Sequence, residues 1–281
     1  MGIIYYMHGT NTDQNPDPDK EANKLAEETN ETRNQDPSLD VPVPDLRADW
    51  LLERSLSDNS DPDEHRTSVI TVFPKPIIPC YDCNTTENGL VRFLNAAAGY
   101  EPFQIYINKQ LAVNGLDNGD MSQYGRVSAK MQTVTVEAQN GYVYLEKQID
   151  VPLGQALTIA VINSDSGLEI MVIQDMYCNG GINSGCFRVC NLSITNRNVN
   201  VILNGGELTF KEVEYKELTG FKYQKTGFYQ VAVMNSSAQS ENILLTSNIY
   251  IRGNASYTLY VFNWSDTMNA IRILIVEDRK N

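Results

Sequence analysis

Histidine is almost missing from this chain of 281 residues: there are two, His8 and His65. Both fall within residues 1–85, so no Ser-His-Asp or Cys-His arrangement can be built in the remainder. No apolar run reaches the roughly 18 residues that a membrane helix needs, and no membrane span is expected. Bases are scarce, 22 Lys and Arg against 35 Asp and Glu, for a formal charge of −13. A chain this acidic repels phosphate backbones, which argues against nucleic acid as a partner. No Gly-rich loop follows a strand and opens a helix, so nucleotide binding has no support and no cofactor is expected. Met1-Gly-Ile-Ile-Tyr-Tyr-Met7 lacks a basic segment, and His8-Gly-Thr-Asn follows before an apolar signal core can form. The opening therefore reads as having no signal peptide.

The acidity is uneven. Residues 1–85 hold 17 of the acids and 7 of the bases, a net of −10, while the rest carries −3. Residues 8–40 are dense in Asn, Asp, Glu, Thr and Pro and cannot bury enough surface to offset their ordering entropy. A largely disordered acidic arm is expected over residues 1–85. Within it, Pro44 and Asp45 signal a helix start, and Leu46, Trp50, Leu52 and Leu56 recur at roughly helical spacing. The short helix they predict docks on its own domain or anchors a partner subunit. Ser68-Val-Ile-Thr-Val-Phe73 is β-branched and suits an edge strand, added to a sheet of the same molecule or another. Pro74, Pro76 and Pro79 then hold the chain extended.

What the chain does have is the same module twice. With Gly89 aligned to Gly185, Gly89-Leu-Val-Arg92-Phe-Leu-Asn95 falls on Gly185-Cys-Phe-Arg188-Val-Cys-Asn191. Phe103-Gln-Ile-Tyr-Ile-Asn108 falls on Val199-Asn-Val-Ile-Leu-Asn204. Tyr124 pairs with Phe221, Thr133-Val-Thr-Val136 with Gln230-Val-Ala-Val233, Gly154 with Gly253 and Asn163 with Asn263. The copies close on Ile170-Met-Val-Ile-Gln-Asp175 and Ile273-Leu-Ile-Val-Glu-Asp278. A repeat this long is a domain. Its short β segments, broken by Asn and Gly turns with no helical period, predict an all-β chain of two tandem β-sandwiches. The boundaries fall at residues 86–176 for the first repeat, 177–184 for a linker and 185–281 for the second.

These motifs resemble the bacterial tandem domain of unknown function 4397 over residues 89–278. The leading Val/Phe-Arg-Phe/Val strand ends in Asn, an aromatic opens a later strand, and Ile-x-Val-Ile/Val-x-Asp closes the copy. The resemblance implies immunoglobulin-like sandwiches of the kind found on bacterial envelope or spore-associated proteins, and it brings no catalytic residues. One departure stands out. Where some members carry a His-Ala-Ser-Pro-Asp-like stretch after the first strand, this chain has Asn95-Ala-Ala-Ala and Asn191-Leu-Ser-Ile. Members with secretion signals also differ from it, which fits a protein laid down from inside a cell, as in spore coats.

Five cysteines remain to be placed. Zinc shared by Cys80-x2-Cys83 and Cys186-x3-Cys190 is permitted by spacing, but nothing else marks such a site. A redox Cys-x-x-Cys lacks its βαβ context. Disulfide stapling is the third reading, with Cys178 and Cys186 bracketing a flexible loop and Cys80 and Cys83 available for bonds between chains. The odd count leaves at least one thiol over, and all five reduced is the plain alternative. Asp58-Asn-Ser-Asp-Pro-Asp-Glu64 gathers oxygen ligands without EF-hand spacing and reads as solvated linker, so no metal is expected. Tyr100, Tyr257 and Trp264 are candidates for ligand stacking, against the ordinary use of aromatics in sheets. Arg92 and Arg188 recur at one position and read as a sheet-edge or inter-domain contact. Asn95/Asn191 and Asn108/Asn204 read as turn-makers.

The expectation is a non-enzymatic structural or interaction protein of a bacterial surface or spore layer. It would assemble through its arm, with itself or with other surface-layer proteins. A carbohydrate- or ligand-binding module using exposed aromatics is the alternative.

Overall fold

In the computed structural model, residues 87–203, 208–236, 243–265 and 270–278 are described, with the backbone of residues 4–8 and 70–71. Residues 9–69 and 72–86 lie outside the described residues. The predicted helix with Leu46, Trp50, Leu52 and Leu56 falls there, and Cys80 and Cys83 also lie outside the described residues.

The described residues are all β. Two arm strands come first, β1 (Ile4–His8) and β2 (Ile70–Thr71). The first repeat supplies β3 (Asn88–Ala96), β4 (Phe103–Ile107), β5 (Gln110–Leu116), β6 (Gly125–Ser128), β7 (Met131–Glu137), β8 (Val143–Asp150), β9 (Ala156–Ser164) and β10 (Gly167–Gln174). The second supplies β11 (Ser184–Asn191), β12 (Asn198–Leu203), β13 (Leu208–Glu214), β14 (Lys222–Lys225), β15 (Gly227–Asn235), β16 (Ile243–Ile251), β17 (Ser256–Asn263) and β18 (Ile271–Asp278).

Each repeat is a two-layer sandwich, and the two match strand for strand. Sheets β10-β9-β3-β6 and β5-β4-β7-β8 build the first; β18-β17-β11-β14 and β13-β12-β15-β16 build the second. In both copies the leading strand runs parallel to the seventh, so Arg92 lies beside Thr158 and Arg188 beside Thr258. That parallel register also corrects one pairing in the sequence alignment. Leu90 opposes Ala156 and Cys186 opposes Ser256, so Gly154 corresponds to Asn254 and not to Gly253. Both positions need left-handed backbone, φ 71° at Gly154 and 55° at Asn254, which Gly and Asn each tolerate. Gly253 is glycine for a different reason: a Cβ there would strike the Ile182 carbonyl.

The hairpin read at Asn108-Lys109 is present, with φ 49° and 67°. The corresponding turn at Asn204 lies outside the described residues. Two other strands were not legible. The edge strands β6 and β14 are short and mostly polar, and nothing in their pattern alternates strongly enough to announce them. The Ser68–Phe73 segment contributes Ile70–Thr71, paired with β1 rather than directly with a repeat. β1 in turn extends the β18 edge, with Ile4 opposite Val276 and His8 opposite Arg272.

Side-chain alternation produces three buried clusters instead of two. On β3, Val91 and Phe93 enter the first sandwich's core, with Phe103, Ile105, Val134 and Ile159. On β11, Phe187 and Val189 do the same in the second, with Val201, Val233, Leu259 and Ile273. The intervening residues point the other way. Leu94, Ala160 and Ile162 of the first repeat meet Cys190, Tyr260, Phe262 and Leu274 of the second in a third cluster. The repeats are therefore packed sheet against sheet. This explains why β9 and β17 read as near-continuous apolar runs: both of their faces are covered. At about 1.5–3 kcal/mol for each large side chain buried, this third cluster is comparable to a small core.

Candidate functional site

Four charges sit inside that joint. Arg92 and Arg188 occupy one repeat position and Asp175 and Asp278 another. Each of the four side chains is at most 4% exposed. Parallel pairing of the first and seventh strands sets each arginine beside a threonine. Arg92 Nε donates to Thr158 Oγ1 at 2.7 Å, and Arg188 Nε to Thr258 Oγ1 at 2.8 Å. The threonines pass the bond on: Thr158 donates to Asp175 Oδ2 at 2.6 Å and Thr258 to Asp278 Oδ2 at 2.5 Å. So far each repeat is self-contained.

The guanidinium ends then cross over. Arg92 Nη2 lies 2.9 Å from Asp278 Oδ1 and 3.3 Å from Asp175 Oδ1. Arg188 Nη2 lies 3.5 Å from Asp278 Oδ2 and 3.8 Å from Asp175 Oδ1. It also donates to the Gln174 carbonyl at 3.2 Å. An aromatic ring covers each guanidinium, Tyr124 over Arg92 and Phe221 over Arg188, both at 4.6 Å. These are the two aromatics aligned from sequence, and cation–π contact is their shared role. The copies differ at one atom: Tyr124 donates its hydroxyl to Asp175 Oδ2 at 2.7 Å, which Phe221 cannot do for Asp278.

Burial sets the protonation tendencies. It raises the Asp278 carboxyl above its usual 3.8, with Arg92 and Arg188 pulling against it and Asp175 adding to it. Burial also raises the Tyr124 and Tyr260 phenols well above their usual range and pushes the Cys190 thiol up to about 12. The two phenols and the thiol are held neutral at ordinary pH. Two positive and two negative groups, fully enclosed, form a clasp between domains. Of the two readings of the arginine pair, the inter-domain one is correct. Its acidic partners went unassigned, although the recurrence of Asp at the end of both closing strands was the available signal.

The asparagines that recur pin strand exits. Asn95 Nδ2 donates to Leu116 O at 3.0 Å and its Oδ1 accepts from Ala97 N at 2.9 Å. Asn191 repeats this with Val213 O at 3.0 Å and Ser193 N at 3.0 Å. Asn163 and Asn263 tie the same region from the other side, accepting from Ala98 N and Ile194 N. Across the joint, Arg272 Nη1 donates to Asn118 O at 2.6 Å.

The remaining candidates disperse. Cys178 and Cys186 form a disulfide with their Cα atoms 5.9 Å apart, and Cys190 is a buried free thiol. Cys186 is thus unavailable to zinc, which removes the four-cysteine arrangement with Cys80 and Cys83. The stacking set is corrected as well. Tyr257 is 3% exposed inside the second core, where its ring fills sheet-face volume. Tyr100 packs against Phe103 and Tyr144 at the first core's margin. Trp264 carries the Arg272 guanidinium over its ring at 3.0 Å. No common face joins these three. The exposed aromatic pair lies elsewhere, at Phe228 and Tyr250, directly opposite each other on β15 and β16 with centroids 4.6 Å apart. No group of His, Cys, Asp and Glu suited to holding a metal occurs among the described residues. No helix there is long and apolar enough to cross a membrane.

The profile of the domain of unknown function DUF4397 matches the chain twice, over residues 89–202 and 185–281. No curated protein matches it.

Proposed function

We propose, for a chain that belongs to the DUF4397 family, a non-enzymatic structural role in a bacterial surface or spore layer, with neighbours joined through the N-terminal arm. The observation that supports this reading is the clasp. The charged residues that recur in both copies are spent on holding one repeat to the other, at side-chain exposures of 4% or less. Fusing two sandwiches sheet against sheet makes a stiff spacer, and stiffness is what a layer protein needs from its folded part. On this reading the acidic arm, with Cys80 and Cys83 near its end, makes the links.

The test is the solution mass of residues 1–281 and 86–281, each with and without reductant. The expected result is association of the full chain that the shortened chain loses, with reductant releasing the fraction linked through Cys80 or Cys83. A full chain that stays monomeric at every concentration sinks the reading.

A second reading is favoured by Phe228 and Tyr250. Phe228 is 85% exposed, and with Tyr250 tilted against it at 52° it offers an open aromatic face suited to a flat, weakly polar ligand such as a sugar ring. Glycan-array binding that Phe228→Ala abolishes would select it. An array with no signal would remove it.

A further inference from the structure

The two repeats match strand for strand but differ at one edge. In the second repeat, β18 pairs with β17 on one side and with β1 on the other. In the first, the corresponding strand β10 ends its sheet, with no strand on its outer side among the described residues. A bare edge is a template for another chain, and proteins that leave one bare generally block it with a charged side chain. The first repeat does so. Lys147 reaches across from β8 and donates to the Ile170 carbonyl at 2.9 Å.

The second repeat lacks this block. Lys147 opposes Val134 on β7, and Ser247 opposes Val231 on β15, so Ser247 holds the corresponding position. Serine is too short to cap the edge. Its side chain is 2% exposed, and its Oγ has no hydrogen-bond partner among the described residues. The strand β1 lies against β16, the strand that carries Ser247.

The backbone parity agrees. In an antiparallel ladder, alternate residues turn their N–H and C=O toward opposite neighbours. Ala270 O accepts from Trp264 N, so the even-numbered residues of β18 bond to β17. The backbone N–H and C=O of Ile273 and Ile275 therefore face outward, opposite Met7 and Tyr5. Ile170, whose carbonyl Lys147 caps, is the first-repeat counterpart of Ile273.

From this divergence we infer that the β18 edge is a strand-accepting site whose occupant, in an assembly, is segment Ile4–His8 of a second copy of this chain. In the isolated molecule the chain's own segment fills it. The inference rests on the arm-mediated reading above and names the surface it uses. The donor is separated in sequence from the next described strand, Ile70–Thr71, by residues 9–69, a length of chain that permits its exchange between copies. Strand addition supplies affinity through the main chain.

A labelled peptide of residues 1–10 tests the site, and sedimentation of the full chain tests the assembly. Met7→Pro removes an amide that bonds to β18 and releases the chain's own strand. Saturable binding of one peptide per Met7→Pro chain is expected. Binding to the unsubstituted chain should be about tenfold weaker or less, because the tethered strand competes. Lys147→Ser, at an exposed position, should uncap β10 and raise the stoichiometry to two when added to Met7→Pro. Peptide binding that is absent, or equal for the unsubstituted and Met7→Pro chains, overturns the strand site whatever sedimentation shows. If Met7→Pro binds peptide but the unsubstituted chain stays monomeric, exchange between copies falls, and the arm-mediated reading falls with it. If the chain associates but no peptide binds, that reading survives and the strand site does not.

Discussion

Arg92 and Asp278 stand 186 residues apart in the chain and 2.9 Å apart in the fold. One opens the first repeat and the other closes the second, so the contact ties the two ends of the tandem together. Both are enclosed, and removing Arg92 leaves two buried carboxylates, Asp175 and Asp278, to the single guanidinium of Arg188. Arg92→Leu is expected to cost about 3–5 kcal/mol in urea unfolding. Combined with Asp278→Asn, the loss should fall short of the sum of the single losses by about 1–3 kcal/mol. Additive losses would mean that the clasp is not a coupled unit.

The clasp's neighbours make the protein sensitive to alkali. Burial holds the Cys190 thiol up, from 9.0 to about 12, against Arg188 and with Asp175. A group whose folded value is raised keeps its proton longer in the folded chain. Its contribution is complete below pH 9.0 and is lost as the pH climbs toward about 12, at about 1.4 kcal/mol per pH unit. Tyr124 and Tyr260, raised above 10.0 mainly by burial, act in the same direction at higher pH. Cys190→Leu, which copies Leu94 of the first repeat, removes the thiol's share. Between about pH 8 and about pH 11, the variant should gain about 2.6 kcal/mol on the unsubstituted chain. Parallel curves for the two chains would contradict this.

How much of this could be read from the sequence depends on whether the information is local. Strand positions, the Asn108 hairpin and the asparagine anchors follow from periodicity and turn chemistry, which are properties of neighbouring residues. The repeat itself made Arg92 and Arg188 conspicuous. Their partners were harder because Asp175 and Asp278 come into reach only when two sheets pack face to face. Strand β1 was missed for a related reason. Ile4–His8 is a short apolar run without flanking strands, and its partner, Ile271–Asp278, lies at the far end of the chain. The stacking set failed because an aromatic on a strand carries no mark of which face it uses: Tyr257 and Tyr260 point into different clusters.

The glycines that align the repeats are required by space. At Gly185 a Cβ would lie 2.6 Å from the Arg252 carbonyl oxygen and 3.1 Å from that of Ala255. At Gly89 it would lie 2.8 Å from the Pro152 carbonyl oxygen. Backbone cannot give way as a flexible side chain can. Gly185→Ala and Gly89→Ala should each cost about 1–3 kcal/mol, with no change in far-ultraviolet dichroism. A neutral result at either position would show that the parallel pair of first and seventh strands can part locally.

The disulfide adds a local restraint where the first repeat hands over to the second. Cys178 is already held there by its backbone, with its N–H donating to Ser256 Oγ at 2.8 Å and its carbonyl accepting from the same hydroxyl at 2.9 Å. Cys186 lies within β11, so the bond secures the linker to the strand that carries Arg188. Closing so short a loop in the unfolded chain is worth about 2–3 kcal/mol by the entropy argument. Because Ser256 keeps the linker in place without the bond, Cys178→Ser should lose no more than about that amount and keep a single unfolding transition. Alkylation after denaturation without reductant should leave Cys178 and Cys186 unmodified and label Cys190. Label on Cys178 and Cys186 would show that the bond is not formed in the mature protein, and the restraint on the linker would then rest on Ser256 alone.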